Sequence, residues 1–395
     1  MTLKDELLAK PVGPQIPARQ TDPEKDFTRQ IEVSGDIAEV TVRAPAGEAD
    51  ESAAVAYLRS KGEDPDVWVA TGFRSGEWTM ANGETGESNR YTFKRRVGAE
   101  VTERPNLDEL LAAIDKHDVS VVPSQTGGDH TFIVALGDMQ FGKVDGDGVD
   151  GTLARTIDCL NKAADLLATY RQRFRIDHVH IAWLGDHIEG FVSQGGANTW
   201  RTQLTLNEQI RLTRRVMLHA LLTFAPLVTR LTMVAVPGNH GEAVRFNGKG
   251  ITRYDDSHDT ESLIAVKDAA ELNPDRFSHV EFYVPDTDEL TVVVECSGTV
   301  VAHGHGHQWK PGKHFEWWKG QAFNRASAMH QADLLLAGHL HHEHVDTDGY
   351  RSFIQPPAME SESTWWRHAK GTTGAPGLIV AITKDGAVPI KETVR

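Results

Sequence analysis

Five short segments hold most of the residues that could do chemistry. They are Gly137-Asp138-Met139-Gln140, Gly185-Asp186-His187-Ile188-Glu189, Gly238-Asn239-His240-Gly241-Glu242, His303-Gly304-His305 and Gly338-His339-Leu340-His341. Their side chains offer carboxylate, amide and imidazole, the O and N donors that suit Mn, Fe, Zn and similar divalent ions. Cysteine is missing from the set, which argues against a structural zinc site. Glycines in each segment let backbone pass close to ions and phosphate. Taken singly, each segment reads as a turn or loop. Together, five sets of ligand-type residues predict a metal centre, and the tight clustering of several of the 19 histidines, as in His303-Gly304-His305-Gly306-His307 and His339-Leu340-His341-His342, points the same way.

The elements that must position them alternate between apolar runs and amphipathic stretches. Strands are expected at 131–136, 178–184, 231–236, 291–302 and 334–337, and helices at 153–173, 204–224 and 261–270. That alternation is the pattern of an α/β core. Each strand runs directly into one of the polar, Gly-rich segments, and in open α/β sheets ligand sites lie beyond the carboxyl ends of strands.

Ahead of this core, residues 1–25 carry Pro11, Pro14, Pro17 and Pro23 among charges and read as a flexible lead-in. Residues 26–125 read as a small accessory α+β module, with a helix at 51–61 stopped by Gly62 and strands near 67–72 and 90–97. The module mixes Phe73, Arg74, Trp78, Tyr91, Phe93, Lys94, Arg95 and Arg96. Such a mix can stack bases and meet phosphates, but alternating aromatics also make a core and a Lys-Arg-Arg run a solvated edge. A further helix at 106–114 and a Ser-Gln-Thr-Gly-Gly stretch put the boundary near 125, leaving 126–395 as the larger domain that carries the five segments.

Composition narrows the function classes. At 395 residues the chain can bury a large core, and its formal net charge of −15 argues against a broad electrostatic footprint for DNA, though not against a local basic groove. No run of about 18 apolar residues and no positive-then-apolar leader is present, so no membrane role and a cytoplasmic location are expected. Cys159 and Cys296 read as packing residues on a helix and a strand.

The five segments resemble the pattern of the calcineurin-like metallophosphoesterases, Asp-x-His, Gly-Asp-x-x-Asp/Glu, Gly-Asn-His-Asp/Glu, a lone His and Gly-His-x-His, over about residues 130–345. The resemblance implies a four-layer sandwich of two mixed β-sheets flanked by helices. It implies two divalent ions, with Mn expected and Mg, Fe, Zn and Ni as alternatives. Asp138, Gln140, Asp186 and His341 would hold the first ion and Asp186, Asn239, His303 and His339 the second, with Asp186 bridging. Such a pair, about 3.5–4 Å apart, clamps attacking and leaving oxygens while a bridging hydroxide attacks phosphorus. Asn239 would stabilise the equatorial oxygens, and His240 would steady the transition state or protonate the leaving oxygen. Glu189 and Glu242 would orient imidazoles.

Two positions depart from the pattern. Gln140 stands where His is usual, and a neutral amide oxygen shifts preference toward Mn or Mg. Gly241 separates His240 from Glu242, moving the acid one position later. In the fourth block, family position favours His303, leaving His305 and His307 to face substrate or support the ligands; His187, His342 and His344 read as solvated or packing residues.

For substrate, Trp309, Lys310, Lys313, His314, Trp317, Trp318 and Lys319 follow the fourth block, and cations among aromatics suit a phosphodiester bearing a base. His305, Lys310, Lys313 and Trp317 are the candidate substrate contacts, while a packing loop with solvated lysines is the plain alternative. Arg201, Arg211, Arg214 and Arg215 are further candidates for the mouth. Asp138-Met139-Gln140-Phe141-Gly142-Lys143, Glu316-Trp317-Trp318-Lys319-Gly320, Ser363-Thr364-Trp365-Trp366 and the Trp-containing N-terminal module resemble phage-encoded relatives of the SbcD-type nucleases, in which Gln at position 140 is not foreign. By analogy that implies DNA phosphodiester cleavage in a host-cell cytoplasm. Three readings follow: a nuclease or phosphodiesterase for nucleic acid, a hydrolase of nucleotides or other small phosphate esters, and a non-catalytic scaffold. A homodimer or a partner ATPase is not readable from these residues.

Overall fold

The computed structural model describes residues 27–34, 37–45, 47–65, 68–79, 85–95, 105–116, 127–191, 202–246, 249–250, 252–324, 327–361, 371 and 374–395. The lead-in, Arg96, Arg201 and the 363–366 segment lie outside them. Contacts divide the chain into two units, Met1–Thr102 and Glu103–Arg395.

In the first unit, strands β1 (Arg29–Ser34), β2 (Ile37–Pro45), β3 (Trp68–Thr79) and β4 (Thr85–Arg95) form an antiparallel sheet in the order β1-β2-β4-β3, with helix α1 (Glu51–Ser60) following β2. Strict alternation along β2 buries Ala38, Val40, Val42 and Ala44, which meet Ala54 and Leu58 of α1. Asp50 caps α1 by accepting the Ala53 N–H at 2.8 Å. Of the aromatic and basic mixture, Tyr91 and Phe93 belong to this core, whereas Phe73 is 59% exposed and tilts over Tyr91 at 5.0 Å.

The second unit runs α2 (Leu107–Asp115), β5 (His130–Leu136), α3 (Gly148–Tyr170), β6 (Ile176–Trp183), α4 (Leu206–Phe224), β7 (Arg230–Ala235), a short hairpin β8 (Arg245–Phe246) and β9 (Lys249–Gly250), then α5 (His258–Glu271), α6 (Pro274–Phe277), β10 (Val280–Tyr283), β11 (Val292–Cys296), β12 (Thr299–His303) and α7 (His314–Phe323). It closes with β13 (Leu334–Leu336), β14 (His344–Asp348), β15 (Arg351–Gln355), β16 (Leu378–Lys384) and β17 (Ala387–Val394). One sheet has the order β10-β7-β6-β5-β16-β17, parallel through β5 and antiparallel beyond it. The other has the order β11-β12-β13-β15-β14, parallel only at its centre. The fold is therefore mixed α/β.

Alternation on β5 sorts the core. Phe132, Val134 and Leu136 pack with Leu160 of α3 and Val216 of α4, while Ile133 and Ala135 pack with Val301, Leu334 and Leu336 of the second sheet. On that sheet's other face, Ala302, Leu335 and Phe353 meet Trp318 of α7. The two cysteines are buried and unpaired, as their segments suggested. Ahead of the expected boundary near 125, α2 lies within the second unit, its Leu110, Leu111 and Ile114 joining the core around α3 and α4. An apolar helical face needs a partner, and the partner here is the second unit. Among the described residues no helix is long and apolar enough to cross a membrane.

Candidate metal centre

Strands β5, β6, β7, β12 and β13 deliver the five segments to one place, and backbone hydrogen bonds lace their loops together. Asp138 N–H donates to Gly185 O at 3.0 Å, Gln140 N–H to Asp186 O at 2.9 Å and Gly338 N–H to His305 O at 2.8 Å. Carboxylates extend the lacing: Asp186 Oδ1 accepts the His240 N–H at 2.7 Å and Asp138 Oδ2 the His339 N–H at 2.9 Å. Five side-chain-bearing residues here sit at positive φ: Asp138 (51°), Gln140 (42°), Asp186 (52°), His339 (75°) and His341 (56°). Each such residue costs about 1–3 kcal/mol and persists only where its surroundings over-determine it, a pattern that clusters at functional sites.

The donors converge. Ligand-type atoms of Asp186, His305 and His339 all lie within 4.8 Å of one another, with His305 Nε2 3.0 Å from Asp186 Oδ2. His341 Nε2 lies 3.4 Å from Asp138 Oδ1. Asp138 Oδ1, Asn239 Oδ1 and His305 Nε2 are buried without a hydrogen-bond partner among the described residues. Buried polar atoms without a hydrogen bond are costly, and a cation shared between the facing carboxylates, imidazoles and amide oxygen would satisfy all three. The residues present therefore fit divalent metal.

Charge within the cluster tells the same story. Burial alone would raise the Asp138 and Asp186 carboxyls, yet the facing imidazoles, His341 for Asp138 and His305 with His240 for Asp186, hold Asp138 below and Asp186 well below the usual carboxylate range. Burial would likewise lower the imidazoles, but Asp186 lifts His305 to about 9 and Asp138 with Glu360 lifts His341 to about 10. Without metal, protons on these rings balance the buried negative charge.

Three sets of expected site residues are engaged differently from the expectation. His303 does not join the cluster: its Nδ1 bonds Val292 O at 3.0 Å and its Nε2 lies 2.8 Å from His180 Nε2. Two residues on, past the end of β12, His305 is the imidazole that reaches Asp186, anchored by Nδ1 to Leu184 O at 2.7 Å. Gln140 is buried near the cluster, but its carbonyl accepts from Lys143 at 3.1 Å and its amide nitrogen faces His240 Nε2 at 3.3 Å. A cation three residues along has taken the oxygen expected on the first ion. Third, the candidate substrate contacts are engaged locally: Lys313 pairs with Glu316 at 2.7 Å, Trp317 packs on Trp309 at 4.5 Å and Lys319 pairs with Asp348, leaving Lys310 exposed beside them. Arg214 and Arg215 pair with Glu261 and Asp115.

His240 lies at the edge of the cluster with its Nδ1 3.3 Å from Glu189 Oε2 and 3.1 Å from Glu189 O. Burial opposes its protonation, but Asp186 and Glu189 raise it to about 9. The orienting role expected for Glu189 thus has a geometric counterpart, whereas Glu242 meets Ser257 through its backbone. His187 is fully buried edge-on to Trp183, a packing residue. His307 stands over His305 and His339, at 5.4 and 6.2 Å between ring centroids.

Two carboxylates escaped the sequence reading. Asp259, in the first turn of α5, accepts the backbone N–H groups of Asp186 (3.0 Å), His187 (3.0 Å) and Gly238 (2.9 Å). Glu360 bonds His341 Nδ1 at 2.8 Å and pairs with Lys143 at 3.0 Å, while its own N–H donates to Asp138 O. Ser257-His258-Asp259 signals only a helix start, and Glu360 follows no motif. Burial distinguishes both, and burial is a property of the fold.

Compared by sequence, the chain matches no protein-family model and no curated protein. Among solved structures it is similar to a novel archaeal phosphodiesterase, at 12% identity over 67% of this chain and 99% of that one, with a TM-score of 0.31. It is also similar to Vacuolar Protein Sorting 29 from Cryptosporidium parvum (13% identity, 67% and 97%, TM-score 0.30). A third is a conserved protein of Streptococcus pneumoniae TIGR4 described as a predicted phosphoesterase (14% identity, 65% and 84%, TM-score 0.27).

Proposed function

We propose that this chain is a metal-dependent phosphoesterase of the calcineurin-like type, its stacked sheets and flanking helices forming the four-layer sandwich of that class. The observation that carries the reading is the convergence of buried ligand-type atoms at the ends of adjacent strands: His305 Nε2 against the Asp186 carboxylate, Asp138 Oδ1 against His341, and Asn239 Oδ1, none of the three with a hydrogen bond among the described residues. Asp138, Asp186 and His341 would hold one divalent ion, and Asp186, Asn239, His305 and His339 a second. Bound there, the ions would supply Lewis-acid activation of a phosphate ester and of water.

The chain's own residues do the rest. Glu189 fixes the His240 ring through Nδ1, leaving Nε2 turned toward Gln140 and, at 3.9 Å, toward Asp186. Against burial, Asp186 and Glu189 favour the protonated ring, which can give a proton to a leaving oxygen. Glu360 sets the tautomer and tilt of His341, and Lys143 holds Glu360 in turn.

On substrate, the resemblance to phage-encoded nucleases supports a nucleic-acid phosphodiester. A second reading, nucleotides or other small phosphate esters, is favoured by the net charge of −15 and by the acid-paired Lys313 and Lys319. The test strips the protein with chelator, reloads it with Mn and assays bis(p-nitrophenyl) phosphate, single- and double-stranded DNA, and nucleotides. Metal-dependent cleavage of the aryl diester supports the class. Inactivity with Mn, Mg, Fe, Zn and Ni would sink it and leave a scaffold. Intact DNA with hydrolysed nucleotides selects the second reading.

A further inference from the structure

We propose a separate site for a zinc-like divalent ion, built by His314, His344 and Asp346. None of the three belongs to the cluster above, and the inference stands without the phosphoesterase reading. His344 and Asp346 are two residues apart on β14, so both side chains leave the same face of that strand. His314 opens α7 and meets them there, Nε2 3.0 Å from Asp346 Oδ2. One donor atom from each residue fits within a 4.8 Å span.

The rings are fixed in place by packing. His314 is 3% exposed and stacks on Phe353 at 4.1 Å with 18° between planes. His344 stands edge-on to His314 at 5.1 Å and to Phe353 at 5.5 Å. Tetrahedral zinc with bonds of about 2.0–2.2 Å keeps its ligand atoms roughly 3.3–3.5 Å apart. The His314–Asp346 separation is already close to that edge. A simple His–Asp pair would account for two of the residues but not for His344, whose ring nitrogens have no hydrogen-bond partner among the described residues. Two imidazoles and one carboxylate are the ligand set of a borderline ion such as Zn or Co, with a fourth position left for water. The ion would clip the start of α7 to β14 and so brace the helix that carries Trp317 and Trp318.

The test titrates the purified full chain with Co²⁺, counting tightly held equivalents by metal analysis and by d–d absorption, for wild type, His344→Ala and Asp346→Asn. Wild type is expected to hold one equivalent more than either variant, and the lost part of the spectrum to be that of a four- or five-coordinate N/O site. Equal equivalents in wild type and a folded variant overturn the proposal. Asp346→Asn changes a half-exposed carboxylate and decides the matter if His344→Ala does not fold. An Asp186→Asn chain that keeps the extra equivalent while losing the others separates this site from the phosphoesterase centre.

Discussion

The carboxylate of Asp259 occupies the space that a side chain at Gly241 would need, since a Cβ built on that glycine would overlap both carboxylate oxygens. The acid usual after Gly-Asn-His is thus absent from position 241, and a carboxylate carried by α5 fills the volume instead. From there Asp259 gathers the loops after β6 and β7 through three backbone N–H groups.

Asp259→Ala would strand those three donors in a buried place. Loss of about 3–4 kcal/mol of stability is expected, read by urea denaturation, together with weaker metal binding. Asp259→Asn keeps one acceptor oxygen and should lose roughly half as much. A wild-type midpoint in the Ala variant would show that the loops hold themselves.

His305 and His303 should part company on mutation. His305→Ala removes a donor facing Asp186, so bound metal and phosphodiesterase activity should both fall by at least about tenfold. His303→Ala breaks the contacts to His180 and Val292 deep between the sheets, and should cost about 2–4 kcal/mol in stability while folded protein keeps its metal. Metal analysis beside thermal melting tells the two apart, and the reverse pattern would restore the sequence-based assignment.

His240→Ala should lower turnover by about 10²–10⁴-fold, with metal content little changed. Glu189→Gln weakens the partner that keeps His240 protonated and should move the alkaline limb of the pH–rate profile to lower pH. A profile unmoved by Glu189→Gln would mean that Asp186 alone sets this ring.

Metal-free protein should be most stable near pH 6.5, the ordinary histidine value. Despite burial, His240 and His305 are raised to about 9 and His341 to about 10 by facing carboxylates, so their stabilisation is complete below about 6.5 and is lost as pH rises through 9–10. Burial acts unopposed on the inter-sheet histidines, lowering His178 to about 3, His303 to about 4 and His180 well below the usual value. Their stabilisation is complete above about 6.5 and is lost as pH falls toward 3–4. Thermal melts in chelator from pH 4 to 10 check this, and a flat profile would contradict it. Since metal must displace the protons on His305 and His341, loading should release protons and tighten as pH rises.

Much of the architecture was legible from local pattern. Apolar runs at 131–136, 178–184, 231–236 and 334–337 coincide within a residue or two with β5, β6, β7 and β13, because strands buried on both faces read as unbroken apolar stretches. The polar segments at their ends were equally visible, and the helix expected at 204–224 is α4. Which imidazole faces Asp186 was not visible, for His303 and His305 both turn toward β6 and the loop after it, and only their height along that strand, level with His180 for one and with Leu184 for the other, decides which reaches the carboxylate. Asp259 and Glu360 lie 73 and 222 residues from Asp186 and Asp138, the residues they brace, and no local rule spans such distances. The amino-acid sequence by itself determined which side chains arrive at strand ends; tertiary structure decided which lone pairs remain unspent there, because hydrogen bonds among distant loops use up some donors and leave others free for a cation.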